Sequence, residues 1–346
     1  MTSPAPVRCG LIGYGLFGAH HAKALQQAPL AQLVAIAVPS DKSQAAARQA
    51  FPEAVVCGDY RQVLARDDIE LVDIVVPNHL HFEIAQAALE ADKHVLLEKP
   101  MALRRDHCDR LVELAQQKNR LLAVNHELRL SSLWGGVRDV IERGIIGRVQ
   151  YVLVELSRFP YRFGSEGWRY DIDRVGNWIL EEPIHFFDLA RWYLAGSGDP
   201  VSVYARANSR HADQPELRDN FSCMVNFADG AYAVISQTLA AFGHHQTAKI
   251  AGTKGTIWAY WSAPDARADK PQFGLRYGLG DEVHEMQFQK PTGELLELSD
   301  QVAAVVQAVA SRSEPPCSGE DGRWSTRLCL AATHSVETGG VVALTD

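Results

Sequence analysis

Along the first third of the chain, short apolar runs alternate with amphipathic stretches. Val7–Ile12, Leu33–Val38, Leu71–Val76, His94–Glu98 and Leu121–Val124 are apolar at nearly every position, as strands covered on both faces must be. Between them, Phe17–Ala28, Ser43–Ala50, His81–Ala91 and Asp106–Lys118 carry helical spacing. Strand and helix in turn predict an α/β domain on a doubly wound parallel sheet, over residues 1–124.

The texture then changes. A helix is expected at Leu133–Arg143, followed by strands of period two: Val149–Leu156, Phe221–Phe227, Tyr232–Thr238, Thr247–Ala251, Thr256–Tyr260 and Val283–Phe288. Asp229-Gly230 between two of these strands predicts a two-residue hairpin, because glycine accepts the positive φ such turns need. Residues 125–346 therefore read as an α+β domain on an open, mostly antiparallel sheet. Late helices are expected at Leu295–Ser311 and Gly322–Thr338, free to pack on either domain, and Ala263–Lys270 reads as an exposed loop.

A net charge of −8, with both signs mixed along the chain, argues against a nucleic-acid partner, which would call for a basic face. Six cysteines stand singly, without C-x-x-C or histidine clustering; they read as reduced, buried thiols rather than disulfides or metal ligands, so no metal is expected. Met1–Pro6 is too short and polar for a leader, and no apolar run approaches the roughly 20 residues of a membrane span. A cytoplasmic protein without membrane contact is expected.

The first strand runs into Gly13-Tyr14-Gly15-Leu16-Phe17-Gly18, a G-x-G-x-x-G between strand and helix. In this setting Gly13 allows the tight turn, Gly15 lets backbone approach a pyrophosphate, and Gly18 lets helix and strand pack closely. The backbone of Leu16 and Phe17 then opens a helix whose N-terminus favours phosphate. This is the fingerprint of a Rossmann dinucleotide site. The second strand usually ends in an acidic residue that selects NAD; here Val38 stands there. Ser40 and Lys42 suit a 2′-phosphate, whereas Asp41 suits a free hydroxyl, so NAD and NADP both remain open.

Three further segments give the chain its resemblance to the Gfo/Idh/MocA oxidoreductase family: Val76-Pro77-Asn78-His79-Leu80-His81, Glu98-Lys99-Pro100, and Gly176-Asn177-Trp178-Ile179-Leu180-Glu181-Glu182-Pro183-Ile184-His185-Phe186-Phe187-Asp188. Ser335-Val336-Glu337-Thr338-Gly339 is similar to the family's terminal helix. The resemblance implies substrate held between the two domains, Lys99 and His185 as catalytic residues, Glu181 where the family has Asp, and nicotinamide contact at Pro100. Pro183 for glycine and Asn177-Trp178 for two glycines depart from the family pattern.

Oxidising a secondary alcohol removes a hydroxyl proton as hydride leaves the same carbon. Histidine suits that proton best, so His185 is expected as general base in oxidation and acid in reduction. Lys99 would stabilise the developing alkoxide. Glu181, four residues before His185, would face it across one helical turn if a helix begins there. Asp188 either anchors structure or contacts substrate, and Glu182 reads as charge at a helix start. Pro77, Asn78, His81 and Glu98 are expected beside the same cofactor, although Asn78 also suits a plain helix cap.

Asn125 and His126, with Glu127 and Arg129, follow the last strand of the first domain and are expected near substrate. Arg158, Tyr161, Trp168 and Arg169 lie in an aromatic and arginine-rich segment whose rings can stack on sugars; the rival reading is that they pin a long loop. Arg158, Arg162, Arg169 and Arg174 also raise an anionic substrate, unless Glu166, Asp171 and Asp173 claim them. The expected activity is hydride transfer between nicotinamide and a hydroxyl-bearing carbon of a sugar, cyclitol or polyol. Alternatives are a glycoside hydrolase that keeps its NAD bound and a non-catalytic NAD(P)-sensing regulator. A homodimer or homotetramer is expected by resemblance.

Overall fold

A computed structural model describes residues 5–268 and 270–344 in two units. Unit one comprises Met1–Glu127 with Leu295–Thr326, and unit two Leu128–Glu294 with Arg327–Asp346. Part of the leader reading (residues 1–4) and Asp269 of the expected loop lie outside the described residues.

Unit one is built on six parallel strands: β1 (Val7–Ile12), β2 (Ala31–Ala37), β3 (Val55–Cys57), β4 (Leu71–Ile74), β5 (His94–Leu97) and β6 (Leu122–Val124), in the order β3-β2-β1-β4-β5-β6. Five helices connect them: α1 (Leu16–Gln27), α2 (Asp41–Ala50), α3 (Tyr60–Leu64), α4 (His81–Glu90) and α5 (Arg105–Lys118). β3 and α3 were not foreseen; three and five residues are too few to display a period. One sheet face packs Val72, Val95 and Leu97 against Ile84, Leu89, Leu111 and Leu114 of α4 and α5. The other packs Val7, Leu11 and Leu96 against Leu25 of α1 and Leu298, Val302 and Val306 of the helix Glu294–Ser311. Each such side chain contributes about 1.5–3 kcal/mol on burial. The late helix thus closes the first sheet.

The chain leaves β1 toward β2 and β3, then returns to place β4 on the other side of β1. That reversal makes the carboxyl ends of β1 and β4 the edge at which such sheets hold ligands.

Unit two carries nine strands: β7 (Val149–Arg158), β8 (Pro200–Asn208), β9 (Asn220–Phe227), β10 (Tyr232–Thr238), β11 (His244–Gly252), β12 (Thr256–Ala263), β13 (Gln272–Leu279), β14 (Glu282–Glu285) and β15 (Val342–Ala343). Their order is β14-β13-β12-β11-β7-β10-β9-β8-β15, antiparallel except for β7 with β10. β8, β13 and β15 were not expected; Gly274 and Gly278 erase the alternation of β13, and β15 has only two residues. The hairpin at Gly230 (φ +86°) has three connecting residues rather than two, because Phe227 N–H bonds Ala231 O at 3.0 Å and Asp229 Oδ1 accepts Ala231 N–H.

Unit two also carries the helices α6 (Trp134–Glu142), α7 (Ile172–Val175) and α8 (Pro183–Tyr193), and from Arg327 onward the expected late helix, Gly319–Thr338. Nine of the eleven α8 residues are buried, with Phe187 against Phe221 of the sheet. Among the described residues no helix is long and apolar enough to cross a membrane. The six cysteines are free thiols, and only Cys57 is partly exposed.

Candidate active site

The glycine turn divides its three glycines by the space around them. A Cβ at Gly13 (φ +100°) would stand 2.0 Å from Val75 O, and one at Gly18 would stand 2.2 Å from Gly13 O. Backbone fills both places. Gly15 is different, since nothing lies within 4 Å of where its Cβ would be. It is the residue before α1, and no side chain caps that helix. Leu16 is exposed there, and Phe17 is half-buried with its ring 5.1 Å from that of His21. Open space beside uncapped N–H groups fits a pyrophosphate.

At the end of β2, Val38 is buried and its N–H bonds Cys57 O. Ser40 Oγ accepts the Ser43 N–H and so caps α2, while Lys42 is exposed on that helix.

Beneath Lys99 lies a buried polar network that the sequence did not signal. His21 of α1 donates from Nδ1 to Asp73 Oδ2 of β4 (2.9 Å) and from Nε2 to Glu98 Oε1 (3.0 Å). Asn125 Nδ2 donates to the same Glu98 oxygen at 2.5 Å, and Lys99 N–H donates to Glu98 Oε2 at 3.2 Å. Burial works against the imidazolium, but the Asp73 and Glu98 carboxylates outweigh it and hold the His21 pKa up to about 10. Glu98 lies below the usual carboxylate range: burial opposes its charge, and His21, Lys99 and Asn125 favour it. Burial raises Asp73, whose Oδ1 has no hydrogen-bond partner among the described residues. Glu98 and Asn125, expected beside cofactor and substrate, are buried and hold each other.

Lys99 itself is half-buried at the carboxyl end of β5, and its bond to Pro100 is cis. His81, at the first position of α4, is fully buried, with Nδ1 2.6 Å from Pro100 O and Nε2 2.9 Å from Val76 O. Burial lowers its pKa. The ring braces two chain segments, and what it fixes is the Pro100 turn. Pro77 precedes the short 3-10 helix Asn78–Leu80, in which Asn78 is buried. His126 is buried against Ser325 Oγ at 2.9 Å.

In unit two the helix begins at Pro183, whose missing N–H suits a first helical position. Glu181 therefore lies two residues before α8 rather than within it, and its Oε1 accepts Arg169 Nε–H at 3.2 Å. His185 is buried in the first turn of α8. Glu182 is more than a helix-start charge. It pairs with Arg158 and lies 3.1 Å from His244 Nε2, and although burial raises its pKa, these two partners hold it well below the carboxylate range. Asp188 accepts both Arg129 Nε–H and Nη2–H at 2.7 Å, a buried fork.

The aromatic segment is held from within. Tyr161 and Trp168 are buried with Val175, Trp178, Leu217 and Leu239. Trp178 Nε1–H donates to Arg169 O at 2.9 Å, and Asn177 Oδ1 accepts the Ile179 N–H. The Asn177-Trp178 departure thus builds the anchor of this loop. Three of the four arginines meet carboxylates: Arg158 with Glu182, Arg169 with Glu181 and Arg174 with Glu166; Arg162 is exposed. Those pairings draw charge away from an anionic substrate.

A doubly wound sheet with this glycine turn defines a dinucleotide-binding class, and comparison with known proteins narrows it. Residues 7–126 match the oxidoreductase family with an NAD-binding Rossmann fold, and residues 135–258 match the GFO/IDH/MocA C-terminal domain. Levoglucosan dehydrogenase of Pseudarthrobacter phenanthrenivorans is 30% identical over 72% of this chain and 72% of its own. Inositol 2-dehydrogenase of Rhizobium meliloti is 29% identical over 95% and 97%. A solved structure of levoglucosan dehydrogenase with NADH and levoglucosan superposes with a TM-score of 0.84 at 23% identity, covering 99% of this chain and 100% of that one. The chain belongs to the Gfo/Idh/MocA family and is an NAD-binding oxidoreductase.

Proposed function

We propose that this protein transfers a hydride between nicotinamide C4 and a secondary hydroxyl or keto carbon of a sugar, cyclitol or sugar derivative, with NAD or NADP. One arrangement in unit one supports this most: the glycine turn after β1 and Lys99 after β5 leave the same edge of a parallel sheet, with only β4 between those strands. The activities named for the levoglucosan and inositol dehydrogenases support the substrate class.

A bound nicotinamide supplies the hydride acceptor or donor. Gly13, Gly15 and Gly18 shape the turn that receives the pyrophosphate, and the N–H groups of Leu16 and Phe17 bind it. Val38, Ser40 and Lys42 border the adenosine ribose, while Pro77, Asn78 and Pro100 border the nicotinamide, with His81 and Glu98 bracing them from below. The Lys99 ammonium holds the oxygen that becomes alkoxide, which lowers the barrier by stabilising charge as it forms. His185 takes the hydroxyl proton in oxidation and returns it in reduction. Glu181 holds Arg169, one of the arginines of the segment proposed to meet substrate.

We also propose a homodimer or homotetramer that works in the cytoplasm. The free thiols suit a reducing compartment, and Met224, Tyr232, Trp258 and Tyr260, exposed on the sheet of unit two, are large side chains that a second copy would cover. Light scattering on the purified protein reads the assembly.

The function is tested by incubating the protein with NAD and NADP separately and a panel of neutral sugars, cyclitols, sugar acids and glycosides. Reduced nicotinamide equal to the product formed is the expected result. A cleaved glycoside without net reduction would identify the hydrolase, and nucleotide binding without any turnover would identify the regulator.

A further inference from the structure

His21 stands outside the proposed chemistry, yet it joins three elements of the Rossmann unit: α1, which leaves the glycine turn; β4, through Asp73; and the end of β5, through Glu98. The Glu98 carboxylate is the hinge of the arrangement. One oxygen takes His21 and Asn125, and the other takes the Lys99 amide. We infer that His21, bridging Asp73 and Glu98, is a positioning residue that fixes the Lys99 turn from below and ties it to the helix of the glycine turn. This rests on the reading that Lys99 handles the substrate oxygen.

The bridge holds only while both imidazole nitrogens donate, since each faces a carboxylate oxygen. Losing one proton turns a donor into a lone pair aimed at an anion. The titratable groups around the ring are Asp73 from β4, Glu98 from the end of β5 and, next to Asp73, the Cys9 thiol of β1. Lys99 and His81 face Glu98 in turn. Cys9 is neutral in the working range, because burial pushes its thiol up to about 12. Asp73 is therefore the group that keeps His21 charged without touching Lys99's turn, and its removal should make the bridge sensitive to pH near neutrality.

The test is nuclear magnetic resonance on the whole chain, with histidines labelled in the ring and lysines reductively methylated; His21→Gln and Lys99→Met assign the two signals. In the native protein His21 is expected to keep both ring protons up to about pH 9. In Asp73→Asn its midpoint should fall by roughly two units, as loss of one close carboxylate does, and the Lys99 signal should move with that same midpoint. In Glu98→Gln the Lys99 signal should no longer follow His21. A Lys99 signal that stays flat while His21 of Asp73→Asn titrates would overturn the inference. So would a native His21 that loses a proton near its ordinary value, a reading that needs no variant of Asp73 to fold. Turnover by Lys99→Met judges the catalytic reading separately: undiminished turnover would remove that reading, while the two signals would still judge the bridge.

Discussion

His21 Nδ1 lies 2.9 Å from Asp73 Oδ2, and neither side chain has any solvent-accessible surface. Charges so placed exchange water for a few protein partners, here Glu98 as well as each other, so the geometry decides whether they stabilise the fold.

The pair makes stability depend on pH in a predictable direction. The folded His21 pKa is raised to about 10, above the roughly 6.5 of an unfolded histidine. Its contribution is complete below that lower value and is lost as pH rises through the upper one. Between pH ~6.5 and ~9 the native chain should lose about 1.4 kcal/mol per pH unit from this group, as one proton requires. Urea unfolding across that window should show the slope, and His21→Gln should flatten it. Above pH ~9 the buried Cys9 and Cys108 thiols, which burial pushes up to about 12, add to the same trend.

Glu182 acts at the other end of the scale. Its carboxyl is held below the ordinary range in the fold by Arg158 and His244, against the cost of burial. Its contribution is present above the unfolded value of about 4.3 and disappears as pH falls below it. Acid unfolding of Glu182→Gln should lose this part of the acid limb.

The Arg129–Asp188 fork should behave as a buried pair broken from one side. Arg129→Ala leaves a carboxylate stranded and should cost about 3–5 kcal/mol in chemical denaturation. Arg129→Lys should recover only part, since an ammonium cannot make both bonds of the planar fork.

The three glycines should separate under substitution. Gly13→Ala and Gly18→Ala drive a methyl into backbone oxygen and should destabilise the chain itself. Gly15→Ala meets nothing in the fold, so its melting temperature should stay close to native while nucleotide affinity falls at least about tenfold, reflecting close approach of the pyrophosphate. Calorimetry with each nucleotide separates the two effects.

Much of this was legible in the sequence wherever a pattern repeats. Continuous apolar runs gave the parallel strands, and alternation gave most of unit two. Short elements such as β3 and α3 left no periodic signal, and glycines hid β13. At the site, Gly13, Gly15 and Gly18 could be assigned distinct duties from spacing alone. His21 and Asp73 could not be recognised, because each sits in an ordinary position on its own element and their meaning arises only when α1, β4 and β5 come together. The partners of Glu182 were hidden for the same reason: Arg158 and His244 arrive from β7 and β11. For Tyr161 and Trp168 the composition left two readings, stacking on sugar or pinning a loop, and the packing of both rings with Val175, Trp178, Leu217 and Leu239 favours the second.

The most direct measurement compares native protein with Lys99→Met for nucleotide binding and for the rate of reduced-nicotinamide formation on levoglucosan, myo-inositol and the wider sugar panel. We predict unchanged nucleotide affinity with turnover reduced by roughly 10²–10⁴-fold, the range for loss of a charge-stabilising or proton-handling group. Turnover close to native in Lys99→Met would contradict the assignment of this lysine to the chemistry.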